Sequence, residues 1–290
     1  MSKNKYPYVA IILGAICISF SPVLIKATGA PGTITAFYRL LIGSVVIFIP
    51  FIISLMRKKQ TLPWRGIYLA TMAGLFLAID MALWTHGIMV SNAAMPTLVG
   101  NLASVWVGIG AVFIFKEKQR LGFWMGLLMA LFGVSFLMLR DFYFPTGIFQ
   151  GLVLGLFAGM FYAGFMLITQ KGRILLNTLN YLFFSSVATT IFLGIFALIL
   201  NEPFTGYSLK VWQLFLLMGI LIQAGAWFLI NYAQGYLPAS LITPTLLIQP
   251  VLAAIIAWLL LGEKLGVWHI VGGVIVVLGI YIVHFYSGKK

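Results

Sequence analysis

Two ionisable side chains, Arg39 and Asp80, stand inside long apolar runs. A charge near the middle of a bilayer costs at least about 2.5 to 3.5 kcal/mol on insertion scales, so each must be paired or used. Each lies about six residues from the end of its run, which puts both about 9 Å deep at about 1.5 Å per residue. Equal depth on consecutive helices makes them candidates for a pair, and two readings stand. In one, the pair neutralises both groups and locks two helices together. In the other, Asp80 takes a proton or a substrate cation during a cycle, in competition with Arg39. Trp84 follows Asp80 by one helical turn, and an acid below an aromatic face suits an organic cation or the amine of an amino acid. The plainer reading of Trp84, and of His86 beside it, is an interfacial anchor.

Uncharged polar residues form two stripes at helical spacing. Thr97, Asn101 and Ser104 make one, and Gln223, Trp227, Asn231 and Gln234 make the other. Amides facing lipid would go unsatisfied, so both stripes should face the interior, as interhelical hydrogen bonds or as the wall of a cavity. Gln249 adds a further mid-run amide, and Tyr162 is a candidate aromatic wall with core packing as its default. Pro22, Pro96, Pro244 and Pro250 fall inside apolar runs, where they free carbonyls and permit kinks that are either hinges or static bends. Gly151, Gly155 and Gly159 form a small-residue ridge that reads as a packing face. Gly122 and Gly126 suit either packing or contact with a second copy, so a homodimer stays open. Cys17 is the only cysteine, which excludes an intrachain disulfide and a CxxC pair. His269 and His284 stand away from other ligand types, and neither a metal nor a cofactor is expected.

These residues need helices to carry them. Of 290 residues, 62% are apolar and 8% charged, and the mean hydropathy is +1.08. That composition excludes a soluble globule, and the net charge of +13 is spread at the ends of apolar runs rather than gathered on a solvated face, which excludes a nucleic-acid binder. A membrane span needs about 20 apolar residues. Ten such runs are expected, at 6–27, 33–55, 66–86, 92–115, 121–139, 146–170, 178–200, 211–234, 239–261 and 266–286. Lys and Arg concentrate in alternate connections, from Lys3 and Lys5 through Arg57 to Arg65, Lys116 to Arg120, and Lys171 and Arg173, to Lys289 and Lys290. The facing side has Arg140, Lys210 and Lys264, so both termini are expected in the cytoplasm.

The chain also repeats. Glu117, Gly126 and Gly133 recur at Glu263, Gly272 and Gly279 with a constant offset of 146 residues, and the offset aligns Asn92-Ala93-Ala94 with Pro238-Ala239-Ser240. The fold expected is an all-α polytopic membrane protein of ten transmembrane helices, built as two inverted five-helix repeats over 1–140 and 141–290. Five is odd, so the second copy enters the membrane from the opposite side, an arrangement that recurs in secondary transporters.

With the Ser21-Pro22 break and Lys26 in the first run, Tyr38-Arg39-Leu40 in the second, and the Glu-bearing turn at Glu117 and Glu263, the chain resembles the drug/metabolite transporter superfamily of the EamA type. The resemblance covers nearly the whole chain. It implies a transporter of amino acids, metabolites or toxic compounds, with spans one, three, four, six, eight and nine around a central cavity and five and ten outside it. The reading is a secondary active transporter, an exporter of a small metabolite such as an amino acid or an amphipathic cation, in the bacterial cytoplasmic membrane. Its partners are that solute, the lipid bilayer and, on the functional reading of Asp80, a coupled proton. Arg39, Asp80, Trp84, Asn101, Tyr162, Gln223, Trp227 and Gln249 are the substrate-binding candidates. A membrane enzyme or a passive channel are the alternatives. The first needs a cluster of acids, His or a nucleophile at one depth, whereas the five acids are scattered and no HExxH or GxxxxGK[ST] sequence occurs. The second needs rings of like residues from an oligomer.

Overall fold

In hydrocarbon a chain must satisfy its own backbone, and the apolar runs do so as helices. The computed structural model describes residues 5–58, 62–91, 94–138, 147–261 and 265–287. Among them, nine helices are long and apolar enough to cross a membrane, and Leu121–Leu137 is a shorter tenth. Span one comprises Tyr6–Ile18 and Ser21–Thr28, span two Gly32–Lys58, span three Trp64–Val90, and span four Ala94–Gly100 and Ala103–Phe115. Span five is Leu121–Leu137, span six Ile148–Leu175, and span seven Thr178–Ile199. Span eight runs Leu209–Gln234, span nine is Ala239–Leu246 and Gln249–Leu261, and span ten Val267–Ser287. The Glu263 turn, Asn92-Ala93, and Lys3, Lys59, Arg140, Lys264, Lys289 and Lys290 lie outside the described residues.

The duplication is visible in the element starts. Spans two and seven, three and eight, the second halves of four and nine, and five and ten begin 145 or 146 residues apart. An odd number of spans per copy makes the two repeats cross the membrane in opposite senses.

By packing, the chain divides differently, into a first unit of Met1–Ala82 with Gly164–Leu237 and a second of Leu83–Ala163 with Pro238–Lys290. Each unit takes spans from both sequence halves. Within the first, spans two, three and seven share a cluster of Ala36, Leu40, Ala78 and Leu193, and Phe51 stacks on Phe183 at 4.2 Å. The Asn201–Ser208 connection folds back onto the start of span two. The Glu202 carboxylate accepts hydrogen bonds from the Thr33 side chain and the Ile34 backbone, and Tyr38 donates to the Phe204 carbonyl at 2.6 Å.

Within the second unit, spans five and ten touch backbone to backbone. A Cβ at Gly133 would stand 2.7 Å from Val276 N and 2.8 Å from Gly272 O, and one at Gly126 would stand 2.8 Å from Gly279 O. The glycines that mark the repeat therefore make this crossing. Gly122 meets the ring of Tyr286 in the same seam, so the Gly122–Gly126 face is filled by span ten. The Gly151–Gly159 ridge of span six likewise packs on Ser91, Pro96 and Gly100.

Candidate functional site

The eight candidate residues divide four and four. Arg39, Asp80, Gln223 and Trp227 belong to the first unit, and Trp84, Asn101, Tyr162 and Gln249 to the second.

In the first unit Arg39 is buried at 6% exposure. One of its terminal nitrogens touches Met81 Sδ at 3.7 Å, and its Nε has no partner among the described residues. Asp80 feels its charge through space, yet no ion pair within 4.0 Å closes between them. The two charges are neighbours, as their equal depth predicts, and both readings of them remain. One turn from Arg39, Gly43 packs directly on the side chain of Gln223. Gln223 sits in a π-helical stretch, Gly219–Ala226, and donates to Ser186 Oγ at 2.9 Å. The stripe on span eight is thus partly interhelical bonding, but its Gln223 Oε1, Trp227 Nε1, Asn231 Oδ1 and Gln234 Oε1 are buried without partners among the described residues. Trp227 stands edge-on to Phe165 at 5.5 Å.

In the second unit, spans four and nine are both interrupted halfway. Asn101 and Leu102 separate the halves of span four, where Leu102 N bonds Val99 O at 3.0 Å and Ser104 N bonds Asn101 O at 3.2 Å. Leu247 and Ile248 separate those of span nine, with Leu247 N on Pro244 O and Ile248 N on Thr245 O, both at 3.2 Å. These three-residue bonds replace the ordinary four-residue ladder and leave half-helix ends within the span. Leu102, Leu247 and Ile248 pack on one apolar cluster built on Phe123, Leu127 and Val276, which holds both interruptions against spans five and ten. Asn101 Nδ2 is buried without a partner among the described residues. Trp84 Nε1 donates to Thr97 Oγ1 at 3.0 Å, tying the end of span three to the polar stripe of span four. Tyr162 is partly buried on span six, three residues past Gly159, and Gln249 opens the second half of span nine.

Several working residues were not among the candidates. Arg173 donates to the carbonyls of Asn231, at 2.9 Å, and Leu176, and to Thr178 Oγ1 at 2.7 Å, so one guanidinium ties the ends of spans six and eight to the start of seven. Its acceptors are mostly backbone, which leaves no side-chain pattern to read. Glu117 Oε2 accepts from Ser240 Oγ at 2.5 Å and Gln119 Nε2 at 2.8 Å, joining spans four and nine. The 146-residue offset had paired these regions by likeness, without indicating contact. Thr245 Oγ1 donates to Leu241 O at 2.7 Å, so its 2.7 Å contact with His284 needs a proton on Nε2 of the ring. His269 Nδ1 accepts from Gly266 N at 3.0 Å at the start of span ten. Among the described residues, no group of three or more His, Cys, Asp or Glu could hold a metal.

The sequence matches the profile of the EamA-like transporter family twice, over residues 5–139 and 149–285. This chain belongs to that family. Similar proteins include an uncharacterized transporter of Clostridium kluyveri, 25% identical over 99% of this chain and 95% of its own. The uncharacterized transporter YdfC of Bacillus subtilis is 23% identical over 97% and 90%, and an uncharacterized transporter of Archaeoglobus fulgidus is 22% identical over 96% of both. A protein crystal structure shares the fold with a TM-score of 0.80 at 17% identity over 98% of both chains. The EamA-like protein is therefore an integral membrane transporter of a small molecule.

Proposed function

We propose that this EamA-like protein is a gradient-driven secondary carrier that exports a small metabolite, such as an amino acid or an amphipathic cation, by alternating access. The observation that carries this reading is the matched interruption of spans four and nine. Half-helix ends within the membrane offer unsatisfied backbone groups to a polar solute, and carriers built from inverted repeats use such discontinuities as binding sites. Asn101 and Gln249 flank the two interruptions, and Trp84, Tyr162, Arg39, Asp80, Gln223 and Trp227 complete the proposed substrate-binding set. Residues 1–140 and 141–290 are the two copies of the cycle's machinery. Asp80, outside a closed ion pair, is the group that would exchange a proton. The bias of Lys and Arg sets both termini on the cytoplasmic side of a bacterial inner membrane.

The test is flux in liposomes reconstituted with the purified protein and loaded with amino acids, organic cations or nucleobases, with and without an imposed proton gradient. One class is expected to leave faster than from protein-free liposomes, and faster still with protons flowing inward. Equal rates with and without protein for all three classes would overturn the reading. A Lys5→Cys variant labelled by an impermeant thiol reagent only in inverted vesicles fits cytoplasmic termini, and labelling in right-side-out vesicles does not.

A further inference from the structure

Span ten packs on span five through Gly272 and Gly279, but it does not lie as closely on the second half of span nine. Gly273 brings those two within reach, since a Cβ there would stand 3.0 Å from Val251 Cγ1. With Gly273 on one wall and Ala254 on the other, a groove of about 410 Å³ stays open between them, bounded also by Leu265, His269 and Val277. Of the described residues that line it, only His269 is polar. Ile270 and Val274, which also line it, are 61 and 55% exposed, so the groove is continuous with the face that the spans turn to lipid.

The lining runs from His269, in the first turn of span ten, to Leu278, nine residues of helix or about 14 Å. Half of a hydrocarbon core about 30 Å thick is about 15 Å. The groove therefore has the depth of one leaflet, with its mouth at the start of span ten. Trp268, exposed beside the mouth and packed against the ring of Phe136 at 4.9 Å, is the residue type that settles at headgroup level.

His269 sets the chemistry of the mouth. Its Nδ1 accepts from Gly266 N at 3.0 Å, so the proton of the neutral ring is on Nε2, an N–H donor. A polar solute would exchange its water for apolar walls and a single donor. A plain hydrocarbon would leave that donor unserved. A flexible chain beneath an oxygen-bearing head suits both ends. We propose that the groove between spans nine and ten holds one acyl chain of a membrane phospholipid, whose phosphate or ester oxygen accepts from His269 Nε2. Lipid tails are as apolar as the walls, so shape and this hydrogen bond, not the hydrophobic effect, distinguish the molecule from its neighbours in the bilayer. The chain supports the half of span nine that follows the interruption, on the side that span ten leaves uncovered.

The test titrates the full chain in detergent with dioleoylphosphatidylglycerol and counts bound lipids by native mass spectrometry. The first lipid is expected to bind about tenfold more tightly than the second. His269→Phe keeps the ring and removes the donor, so the first affinity should fall about tenfold. Ala254→Phe fills the groove and should make the first lipid no tighter than the second. An unchanged first affinity in Ala254→Phe overturns the proposal. If that variant melts early, the unaltered protein decides, in phosphatidylglycerol vesicles doped with a phosphatidylglycerol that carries a diazirine in its acyl chain. Crosslinks to residues 251–255 and 265–278 are expected to exceed several-fold those to Leu128 and Phe132 of span five, both 61% exposed. Equal yields overturn the proposal. Failure here leaves the transport reading standing, and absence of flux leaves the lipid site standing.

Discussion

Spans four and nine are interrupted at the same point of the repeat, and different residues interrupt them. In span nine the cause is Pro250, whose missing N–H frees the Leu246 carbonyl just before the break. The equivalent position in span four is Ser104, and there the ladder gives way at Gly100-Asn101 without a proline. The polar residues do not correspond either, since Asn101 aligns with Leu247, and Gln249 with Ala103. A geometry produced twice by unlike residues is a requirement of the fold. The amides that differ between copies are not needed to make it, and their cost in a membrane calls for another use. The charges point the same way, because Arg39 and Asp80 align with Ser185 and Ala226 and exist in one copy only.

Arg39→Ala should have the largest effect, because it leaves Asp80 without the opposite charge that it feels. A loss of about 3 kcal/mol, seen as lower yield and earlier thermal unfolding, is expected. Asp80→Asn also takes the opposite charge away from buried Arg39, but the amide keeps the carboxyl's shape and a carbonyl acceptor, so a smaller loss of stability is expected together with a changed pH dependence of flux. Flux unchanged at every pH would make the charges as dispensable as their uncharged repeat partners. Next comes Pro250→Ala, which restores a donor to the Leu246 carbonyl and straightens span nine alone. Flux is expected to fall about tenfold, equivalent to about 1.4 kcal/mol, while the melting temperature holds or rises. Unaltered flux would show that the two interruptions are not equally used.

Asn101→Leu copies the residue of the second repeat into the first. It removes an unpartnered Nδ2, so stability should stay within about 1 kcal/mol of the parent while flux falls, as measured by melting and solute counterflow. A large destabilisation would mean that the first interruption depends on its amide. The smallest effect is expected at Glu202, outside the spans. Burial raises its carboxyl above the ordinary carboxylate value, while the bonds from Thr33 and Ile34 pull it down. A raised value means that the folded chain holds this proton more tightly than the unfolded one. The stabilisation is full below the ordinary carboxylate pKa and is lost as pH climbs through the raised value. Glu202→Gln should flatten that slope in melting curves taken from about pH 4 to about pH 7.

Much of this architecture could be read from residue order. Apolar run length placed the spans, and the recurring Gly126, Gly133, Gly272 and Gly279 disclosed both the duplication and, as it turns out, the contact between spans five and ten. Ser21-Pro22 marked the break in span one. Depth counting brought Arg39 and Asp80 together, but it could not show that the pair stays open, because side-chain reach is decided by neighbours such as Met81. Trp84 was placed above Asp80 by helical spacing, yet its N–H is committed to Thr97, a choice made by the next helix. The interruption of span four lacks a proline and left no mark in the sequence. The π-helical stretch and the Arg173 clamp depend on backbone groups, which every sequence carries alike.

The Arg173 clamp also constrains how the chain can be made. Its guanidinium ends span six, but the Asn231 carbonyl it needs is synthesised 58 residues later. Until span eight has left the ribosome, that charge must stay in the headgroup layer, and the final turn of span six cannot settle before the insertion machinery has delivered its distant acceptor.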